Sequence, residues 1–364
     1  MGKQTLFLTG ATGVVGRALI EELAAEFSIV CLSHRAAVDD QRVRIVNGDL
    51  TTPGFGLPRA DFRRLARETD VVLHCAASTR WNTSRDVLFR VNVGGTRQVV
   101  DFAAEAGAVL YHVSTAFVES HAEEGQPGSG ATAYVSSKAA AEEVAGGSGL
   151  PVVILRPSIF IGDSHDGRIA AFQGIHKVSG SLLKDALPVL PADPASVIDY
   201  IPQDVAAKAV RRLLERQVSE GTYWLTAGEQ APTLADLVEV TLDLAATLGV
   251  QTHSPRLMPA SAVGRLLLPL LDDVMSPSLR RQFRLQLDLL QLFQSSGPLP
   301  SSLDDLGVHV TRDSQLDAFR RSAEYWAFVN GLGGAARAHC SASHCSPNHC
   351  SPNHGAAGRR LVAS

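Results

Sequence analysis

Two residues four positions apart, Tyr134 and Lys138, are the strongest candidates for chemistry in the sequence. Residues at this spacing lie on one face of a helix, so the lysine ammonium is expected beside the tyrosine hydroxyl. A neighbouring positive charge favours the ionised phenol, which brings its pKa towards the range useful for proton transfer. Ser114 and Thr115 end a predicted strand, and a hydroxyl from either is expected to bind and polarise a carbonyl oxygen.

A glycine-rich turn follows the first predicted strand and opens an amphipathic helix. Glycines are needed there because the chain turns tightly and its backbone approaches a pyrophosphate. The free amides and the positive end of the helix then hold the phosphates, so the turn predicts a dinucleotide site. The residues predicted to contact the dinucleotide are Gly10, Thr12, Gly13, Val14, Val15 and Gly16.

The end of the second predicted strand bears on the choice between NAD and NADP. An NAD-binding protein is expected to place a carboxylate there for the ribose 2′-hydroxyl. This sequence has Ser33, His34 and Arg35 at that place, with Arg17 directly after the last glycine of the turn. Guanidinium groups bind phosphate, whereas a carboxylate would repel it. We therefore predict NADPH in preference to NADH.

Two further strand ends are predicted to contact the cofactor, although ordinary turn chemistry would also explain them. Asp49, followed by Leu50, is placed to accept a hydrogen bond from the adenine amino group. Cys75, Ala76 and Ala77 offer the small side chains that a wall pressed against a cofactor needs.

Alternating apolar runs and amphipathic stretches predict the elements that position these residues. They indicate an α/β fold, a doubly wound parallel sheet of the Rossmann type with a smaller, mostly helical C-terminal substrate lobe. The strands predicted for this sheet are Thr5–Leu8, Ser28–Leu32, Val43–Val46, Val71–His74, Val109–Val113 and Val152–Arg156. The helices predicted between them are Gly13–Glu26, Arg59–Arg67, Ser84–Ala106 and Ala133–Ala145.

Composition shifts divide the chain into an NAD(P)-binding domain (residues 1–162), a substrate lobe (163–330) and a disordered tail (331–364). The lobe is predicted to begin with loops over Asp163–Ala195, which are rich in Gly, Ser, Pro and Asp. Two strand–helix units, starting at Val197–Ile201 and Thr222–Thr226, are predicted to return to the main sheet.

Charge and cysteine content exclude several classes of protein. The chain has 364 residues, with 33 Lys and Arg against 37 Asp and Glu, and its net charge of −4 argues against nucleic-acid binding. The sequence shows no signal peptide and no apolar segment long enough to cross a bilayer, so we expect a cytoplasmic protein. Three cysteines lie in a five-residue His/Cys tail repeat that lacks the framework of a zinc site, and we predict no metal centre.

Together these motifs resemble those of the extended short-chain dehydrogenases/reductases. Gly10, Gly13 and Gly16 match the glycine pattern of that family, and Tyr134 and Lys138 match its active-site pair. The resemblance covers residues 4–330 and implies that Asn92 supports the catalytic lysine. Three stretches resemble the thioester reductase and fatty acyl-CoA reductase ("male sterility") branch: residues 113–118, 155–162 and 197–204.

That branch implies hydride transfer from NADPH to an acyl thioester, giving an aldehyde or alcohol. By the same resemblance Thr115 rather than Ser114 is the catalytic hydroxyl, and Pro157, Ser158 and Ile159 lie against the nicotinamide. No adenylation or carrier domain precedes the reductase, so the thioester is expected on a separate carrier protein or on coenzyme A.

Other activities of the same fold remain open. An alcohol or ketone dehydrogenase would use the same proton-transfer groups. A nucleotide-sugar epimerase is disfavoured, because such enzymes tend to keep NAD and an acidic residue at the end of the second strand. A non-catalytic NADP-binding regulator is disfavoured because both Tyr134 and Lys138 are present. A homodimer formed through the last helix is compatible with each of these activities.

Overall fold

The computed structural model describes residues 2–34, 38–80, 83–119, 130–258, 294–295 and 297–333. The strands in chain order are β1 (Thr5–Thr9), β2 (Ser28–Ser33), β3 (Val43–Asn47), β4 (Val71–His74), β5 (Val109–Val113), β6 (Val152–Pro157), β7 (Ile159–Ile161), β8 (Val189–Pro191), β9 (Val197–Ile198), β10 (Tyr200–Pro202), β11 (Gly221–Leu225), β12 (Arg256–Met258) and β13 (Gln294–Ser295). The helices are α1 (Val14–Leu23), α2 (Arg59–Glu68), α3 (Arg85–Phe89), α4 (Gly95–Ala106), α5 (Gly130–Gly146), α6 (Gly174–Leu183), α7 (Gln203–Glu215), α8 (Leu234–Thr247) and α9 (Arg312–Val329).

Seven parallel strands form the main sheet, in the order β11-β6-β5-β4-β1-β2-β3. The strand order reverses between β1 and β4, and in a doubly wound sheet the ligand crevice lies at such a switch point. The parallel Rossmann-type sheet expected from the apolar runs is confirmed.

Helices cover both faces of this sheet. One face packs against α1 and α7 through a cluster that includes Leu19, Ile20 and Val210. The other packs against α2 and α4 around four aromatic rings, Phe7, Phe55, Phe62 and Phe102, which contact one another. Burial of both faces explains why the strands are almost continuously apolar.

A third hydrophobic cluster holds the lobe together. It joins α6, α8 and α9 to the short strands β7 and β10. The Tyr200 hydroxyl on β10 donates to the Gln315 carbonyl of α9 at 2.8 Å, which ties the last helix to the centre of the lobe.

Two expectations for the lobe are wrong. Residues 197–201 do not form a strand of the main sheet: they split into β9, paired with β13, and β10, paired with β7. The split lies at Asp199, whose buried carboxylate accepts the amides of Ala227 and Gly228 at 2.9 Å each. The segment 163–195 is also not all loop, because it contains α6, whose apolar residues Ile175 and Leu182 are buried.

Two other elements are close to their predictions. The return at Thr222–Thr226 is observed as β11, which pairs with β6 at the edge of the main sheet. The long helix predicted from Ser84 to Ala106 is present but contains a π-helical segment, Arg90–Gly94, between α3 and α4. Such segments often occur at functional sites, because they turn one residue out of helical register.

Candidate active site

A cleft of about 640 Å³ lies at the carboxyl ends of the main-sheet strands and extends towards α6. Most of the residues predicted from the sequence to form the active site line this cleft. The predicted residues that line it are Gly10, Gly13, Val14, Val15, Gly16, Cys75, Ala77, Ser114, Thr115, Tyr134, Lys138, Pro157, Ser158 and Ile159. The cleft therefore joins the glycine turn to the Tyr134–Lys138 pair.

The glycine turn leaves no space for side chains at two positions. Gly10 has φ +80°, and a Cβ there would lie 2.6 Å from the Ala76 amide nitrogen. A Cβ on Gly16 would lie 2.2 Å from the Gly10 carbonyl oxygen. The turn thus has the close-packed backbone of a dinucleotide cradle, and α1 begins directly after it at Val14.

The catalytic candidates come from three neighbouring elements. Ser114 and Thr115 follow β5, while Tyr134 and Lys138 lie on α5. The Lys138 ammonium donates a hydrogen bond to the Val113 carbonyl at 2.7 Å. The Ser114 hydroxyl is buried and has no hydrogen-bond partner among the described residues. A buried hydroxyl of this kind in a cleft is suited to a ligand's carbonyl oxygen.

The electrostatics of the pair differ from the sequence-based expectation. Burial raises the pKa of Tyr134 to about 12, whereas the pattern predicted a lower value. Burial also lowers the pKa of Lys138 to about 8, opposed by the nearby Glu142 and Cys75. The phenol consequently stays protonated at neutral pH and is a proton donor, because desolvation disfavours its charged form.

A chain of buried hydrogen bonds lies behind the cleft. Thr9, at the end of β1, contacts His74 Nδ1 through its hydroxyl at 2.7 Å, and His74 Nε2 contacts the Thr96 hydroxyl at 3.1 Å. Thr96 in turn donates to the Asn92 carbonyl at 2.6 Å. Because Thr96 uses its proton on Asn92, His74 Nε2 must be the donor to Thr96, and Nδ1 accepts from Thr9. Burial lowers the pKa of His74 to about 3, which is consistent with this neutral ring.

Asn92 lies in the π-helical segment and connects this chain to the catalytic helix. Its side-chain oxygen accepts the Ser78 amide at 2.7 Å, and its side-chain nitrogen donates to the Ser78 carbonyl at 3.2 Å and to the Ser137 hydroxyl at 2.8 Å. Ser137 then donates to the Tyr134 carbonyl at 2.6 Å. The described contacts of Asn92 therefore position the Ser78 loop and α5, and none of them is made to the Lys138 side chain.

The expected 2′-phosphate site is only partly described, since Arg35 lies outside the described residues. His34 Nδ1 lies 3.8 Å from an Asp49 carboxylate oxygen, so a carboxylate approaches this strand end from β3. Arg17 Nε donates to the Thr12 carbonyl at 3.3 Å. The predicted residues that do not line the cleft are Thr12, Arg17, His34, Asp49, Leu50, Ala76 and Asn92.

Several residues of the cleft were not selected from the sequence. Arg80, Phe172, Gln173 and Lys177 line it, the last three from the segment at the start of α6. Thr9 and His74 were also missed as members of a network, because a Thr and a His in an apolar run are indistinguishable from core residues. Only Arg80 could have been predicted to line the cleft, because it lies shortly after the end of a predicted strand.

One group of described side chains has the composition of a metal site, namely Asp163, His165 and Asp204. Both Asp204 carboxylate oxygens already accept hydrogen bonds from Ser164. None of the three residues lines the cleft, so we assign the group no role in the chemistry of this site.

Comparison with known proteins gives a family match for part of the chain. The family model described as "Male sterility protein" matches residues 32–210. A hybrid PKS-NRPS synthetase of Talaromyces variabilis is 28% identical over 232 residues, which is 59% of this chain and 6% of the relative. The glycine betaine reductase ATRR of Emericella nidulans is 28% identical over 265 residues, which is 61% of this chain and 21% of the relative. The chain thus corresponds to a small part of each of these relatives.

Among solved structures, the terminal R domain from the myxalamid PKS-NRPS biosynthetic pathway has the same fold. It superposes with a TM-score of 0.69 at 23% identity, and the match covers 91% of this chain and 92% of that one. In the part of the chain that the structure describes, every helix is too short or too polar to span a membrane.

The parallel sheet, the glycine turn and the Tyr134–Lys138 pair in one cleft define an NAD(P)-dependent oxidoreductase of the extended short-chain dehydrogenase/reductase type. Within that class, residues 32–210 match the male sterility family, which includes thioester reductases.

Proposed function

We propose that this protein is an NADPH-dependent reductase that converts an acyl thioester to an aldehyde or alcohol. The observation that carries the proposal is the half-buried Tyr134, whose raised pKa keeps it protonated, in the same cleft as the glycine turn and the Ser114 hydroxyl, which has no partner among the described residues. Relatives in the comparison are synthetases and reductases that include such a domain, which supports a thioester rather than a sugar nucleotide.

The residues of the turn fit a dinucleotide, because a Cβ at Gly10 or Gly16 would collide with neighbouring backbone, and only glycines there allow the tight turn whose amides face a pyrophosphate. The bound cofactor supplies a hydride to the carbonyl carbon of the substrate. We expect Lys138 to hold the nicotinamide ribose, and Pro157, Ser158 and Ile159, which line the same cleft, to form the adjoining wall.

Hydroxyl groups of the chain stabilise the negative charge that develops on the carbonyl oxygen of the thioester. As hydride adds to the thioester carbon, negative charge develops on its oxygen, and hydroxyls of Thr115 or Ser114 and of Tyr134 stabilise it. Tyr134 donates its proton to that oxygen, and the Lys138 ammonium stabilises the resulting phenolate. The hemithioacetal then collapses: its hydroxyl proton returns to the Tyr134 phenolate, the thiolate leaves and the aldehyde is released. Reduction of the aldehyde to the alcohol would require exchange of the oxidised cofactor for a second NADPH and a second proton from Tyr134.

The preference for NADPH rests on the residues at the end of β2. Ser33 and His34 stand where an NAD-binding protein is expected to have a carboxylate, and Arg17 lies at the start of α1. Asp49, close to His34, is the group that opposes this preference. A ratio of kcat/KM for NADPH over NADH well above one is therefore expected.

The test is to mix the protein with NADPH or NADH and a long-chain acyl-CoA or acyl-pantetheine, and to follow oxidation of the nicotinamide. Thioester-dependent oxidation with recovery of aldehyde or alcohol is the expected result. Reduction of simple aldehydes and ketones with inert thioesters would instead establish an alcohol or ketone dehydrogenase. A cytoplasmic location and a homodimer remain predictions, which fractionation and light scattering would check.

A further inference from the structure

The charge inside the cleft has the opposite sign to that of the whole chain. The protein carries a net charge of −4. The charged residues that line the cleft, by contrast, are Arg80, Lys138 and Lys177, and none of its described lining residues is acidic. A concave surface with one sign of charge attracts ligands of the other sign, so the cleft favours anions.

Two of these cations have no function in the mechanism derived above. Lys138 belongs to the catalytic pair, whereas the side chains of Arg80 and Lys177 are exposed and make no hydrogen bond or ion pair with a described residue. Many other arginines of the described surface pair with carboxylates, as Arg42 does with Glu21 and Asp40. Among the described residues, no carboxylate therefore competes with an anion from solution for the Arg80 and Lys177 side chains.

Arg80 lines the cleft from the loop after β4 and Lys177 lines it from α6, whereas His34 at the end of β2 does not line it. Arg80 is two residues after Ser78, whose backbone is held on both sides by the Asn92 side chain, and Asn92 also contacts α5 through Ser137. Lys177 lies on α6, which packs against α8 and α9 of the lobe. The cofactor pyrophosphate is expected at the glycine turn, so the anion that these two cations bind is a different group.

We propose that Arg80 and Lys177 bind the phosphate of the 4′-phosphopantetheine arm that carries the acyl thioester. This inference rests on the proposed function, since a thioester on coenzyme A or on a carrier protein reaches the active site on that arm. The arm has one phosphate remote from its sulfur, whereas an acyl-pantetheine has none. Guanidinium and ammonium groups are the side chains that bind phosphate most strongly.

The decisive comparison uses two substrates that differ only in that phosphate, acyl-4′-phosphopantetheine and acyl-pantetheine with the same acyl group. The wild-type protein is expected to show a lower KM for the phosphorylated substrate and a similar kcat for both. In Arg80→Ala and Lys177→Ala we expect KM to rise about three- to tenfold for the phosphorylated substrate only. The double variant Arg80→Glu/Lys177→Glu should invert the preference, because it repels the phosphate.

A matched control is Arg97→Ala, which removes an exposed arginine on α4 outside the cleft and should leave both KM values unchanged. Repeating the series with acyl-CoA and with an acyl carrier protein distinguishes the two sources of the arm. If the variants raise KM by the same factor for acyl-CoA and for the acyl carrier protein, the phosphate shared by the two is recognised. A rise in KM for acyl-CoA alone would assign the site to the other phosphates of coenzyme A and overturn the proposal.

Failure of this proposal is distinguishable from failure of the proposed function. If wild-type protein reduces both pantetheine thioesters with equal KM, the phosphate site is refuted while the reductase function stands. If Arg80→Ala raises the KM for NADPH instead, the arginine serves the cofactor and the proposal is also overturned. If no thioester is reduced at all, the proposed function itself is wrong.

Discussion

The cleft has two walls of very different construction. The turn wall, residues 10–16 with the loop 75–78, is made of backbone in close contact and is held from behind by Thr9, His74 and Asn92. The lobe wall, residues 171–177, presents the half-buried Phe172 and Gln173 and the exposed Lys177. The first wall has almost no freedom to move, and the second consists of adaptable side chains.

This difference separates chemistry from recognition. Hydride and proton transfer require the reacting atoms to be held in a narrow range of positions, and backbone contacts supply that constraint. Recognition of a long, flexible arm requires charge and apolar surface more than exact placement. Substitutions on the turn wall and its support should therefore have large effects on turnover or folding, whereas those on the lobe wall should change substrate preference.

The largest effect is expected at Tyr134. Tyr134→Phe removes the proton donor, and turnover should fall by about 10²–10⁴-fold, while the dissociation constant for NADPH changes little. Steady-state kinetics and a fluorescence titration of NADPH check the two parts. Tyr223→Phe on the edge strand β11 is the matched control and should retain activity. Equal loss of turnover and cofactor binding in Tyr134→Phe would mean that the tyrosine is structural.

Gly16→Ala tests the close packing of the turn wall directly. The new Cβ would lie 2.2 Å from the Gly10 carbonyl oxygen, a backbone atom, so the turn must shift. We expect NADPH binding to weaken about tenfold or more and unfolding free energy to fall by about 1–3 kcal/mol.

Gly146→Ala is its control, because a Cβ there meets nothing within 4 Å. Gly146 ends α5, where alanine favours the helix over glycine by roughly 0.5–1 kcal/mol. Calorimetry on both variants checks the contrast. Unchanged NADPH binding in Gly16→Ala would show that the turn wall adapts to an added side chain and is not rigid.

The contrast between the walls also explains what the sequence could predict. Residues 71–74 and 109–113 are strands at the predicted positions, because short β-branched runs between helices have few other structures available. The same regularity brought Tyr134, Lys138 and Ser114 to one cleft. These elements depend on local pattern and on the geometry of parallel sheets.

What failed depends on contacts between distant residues. Asp199 interrupts a predicted strand because its carboxylate accepts the Ala227 and Gly228 amides, a pairing that no local pattern shows. The pKa of Tyr134 was expected to fall, but burial, which comes from the assembled lobe, raises it. Lys177 was missed because α6 lies in a segment whose glycines and serines resemble a loop.

Two neighbouring histidines behind the turn wall differ in their hydrogen bonds. His74 and His112 are paired across β4 and β5, and both are buried with a lowered pKa, so each ring is neutral at pH 7. His74 uses both ring nitrogens, whereas neither nitrogen of His112 has a partner among the described residues. The two rings thus differ in hydrogen bonding but share their surroundings.

His74→Leu should lower the unfolding free energy by about 1–3 kcal/mol and reduce turnover, since the Thr9 hydroxyl loses its acceptor in a buried site. His112→Leu should be neutral or stabilising, because it replaces unpaired polar atoms by apolar ones of similar size. Urea denaturation of both variants at pH 7 measures the difference. Equal destabilisation by the two substitutions would show that the hydrogen-bonded chain contributes nothing specific.

The smallest effect near neutral pH is the pH dependence set by Lys138. Burial lowers its pKa to about 8, so its ammonium is charged below that pH and loses its proton above it. The charge stabilises the phenolate that Tyr134 forms, and Tyr134 itself, with a pKa of about 12, stays protonated throughout this range. The kcat/KM for NADPH should therefore be level near pH 7 and fall above about pH 8, by up to tenfold per pH unit. Lys138→Met should be slow and should lack this decline, whereas a wild-type profile that stays level to about pH 9.5 would mean that the lysine holds the ribose without its charge entering proton transfer.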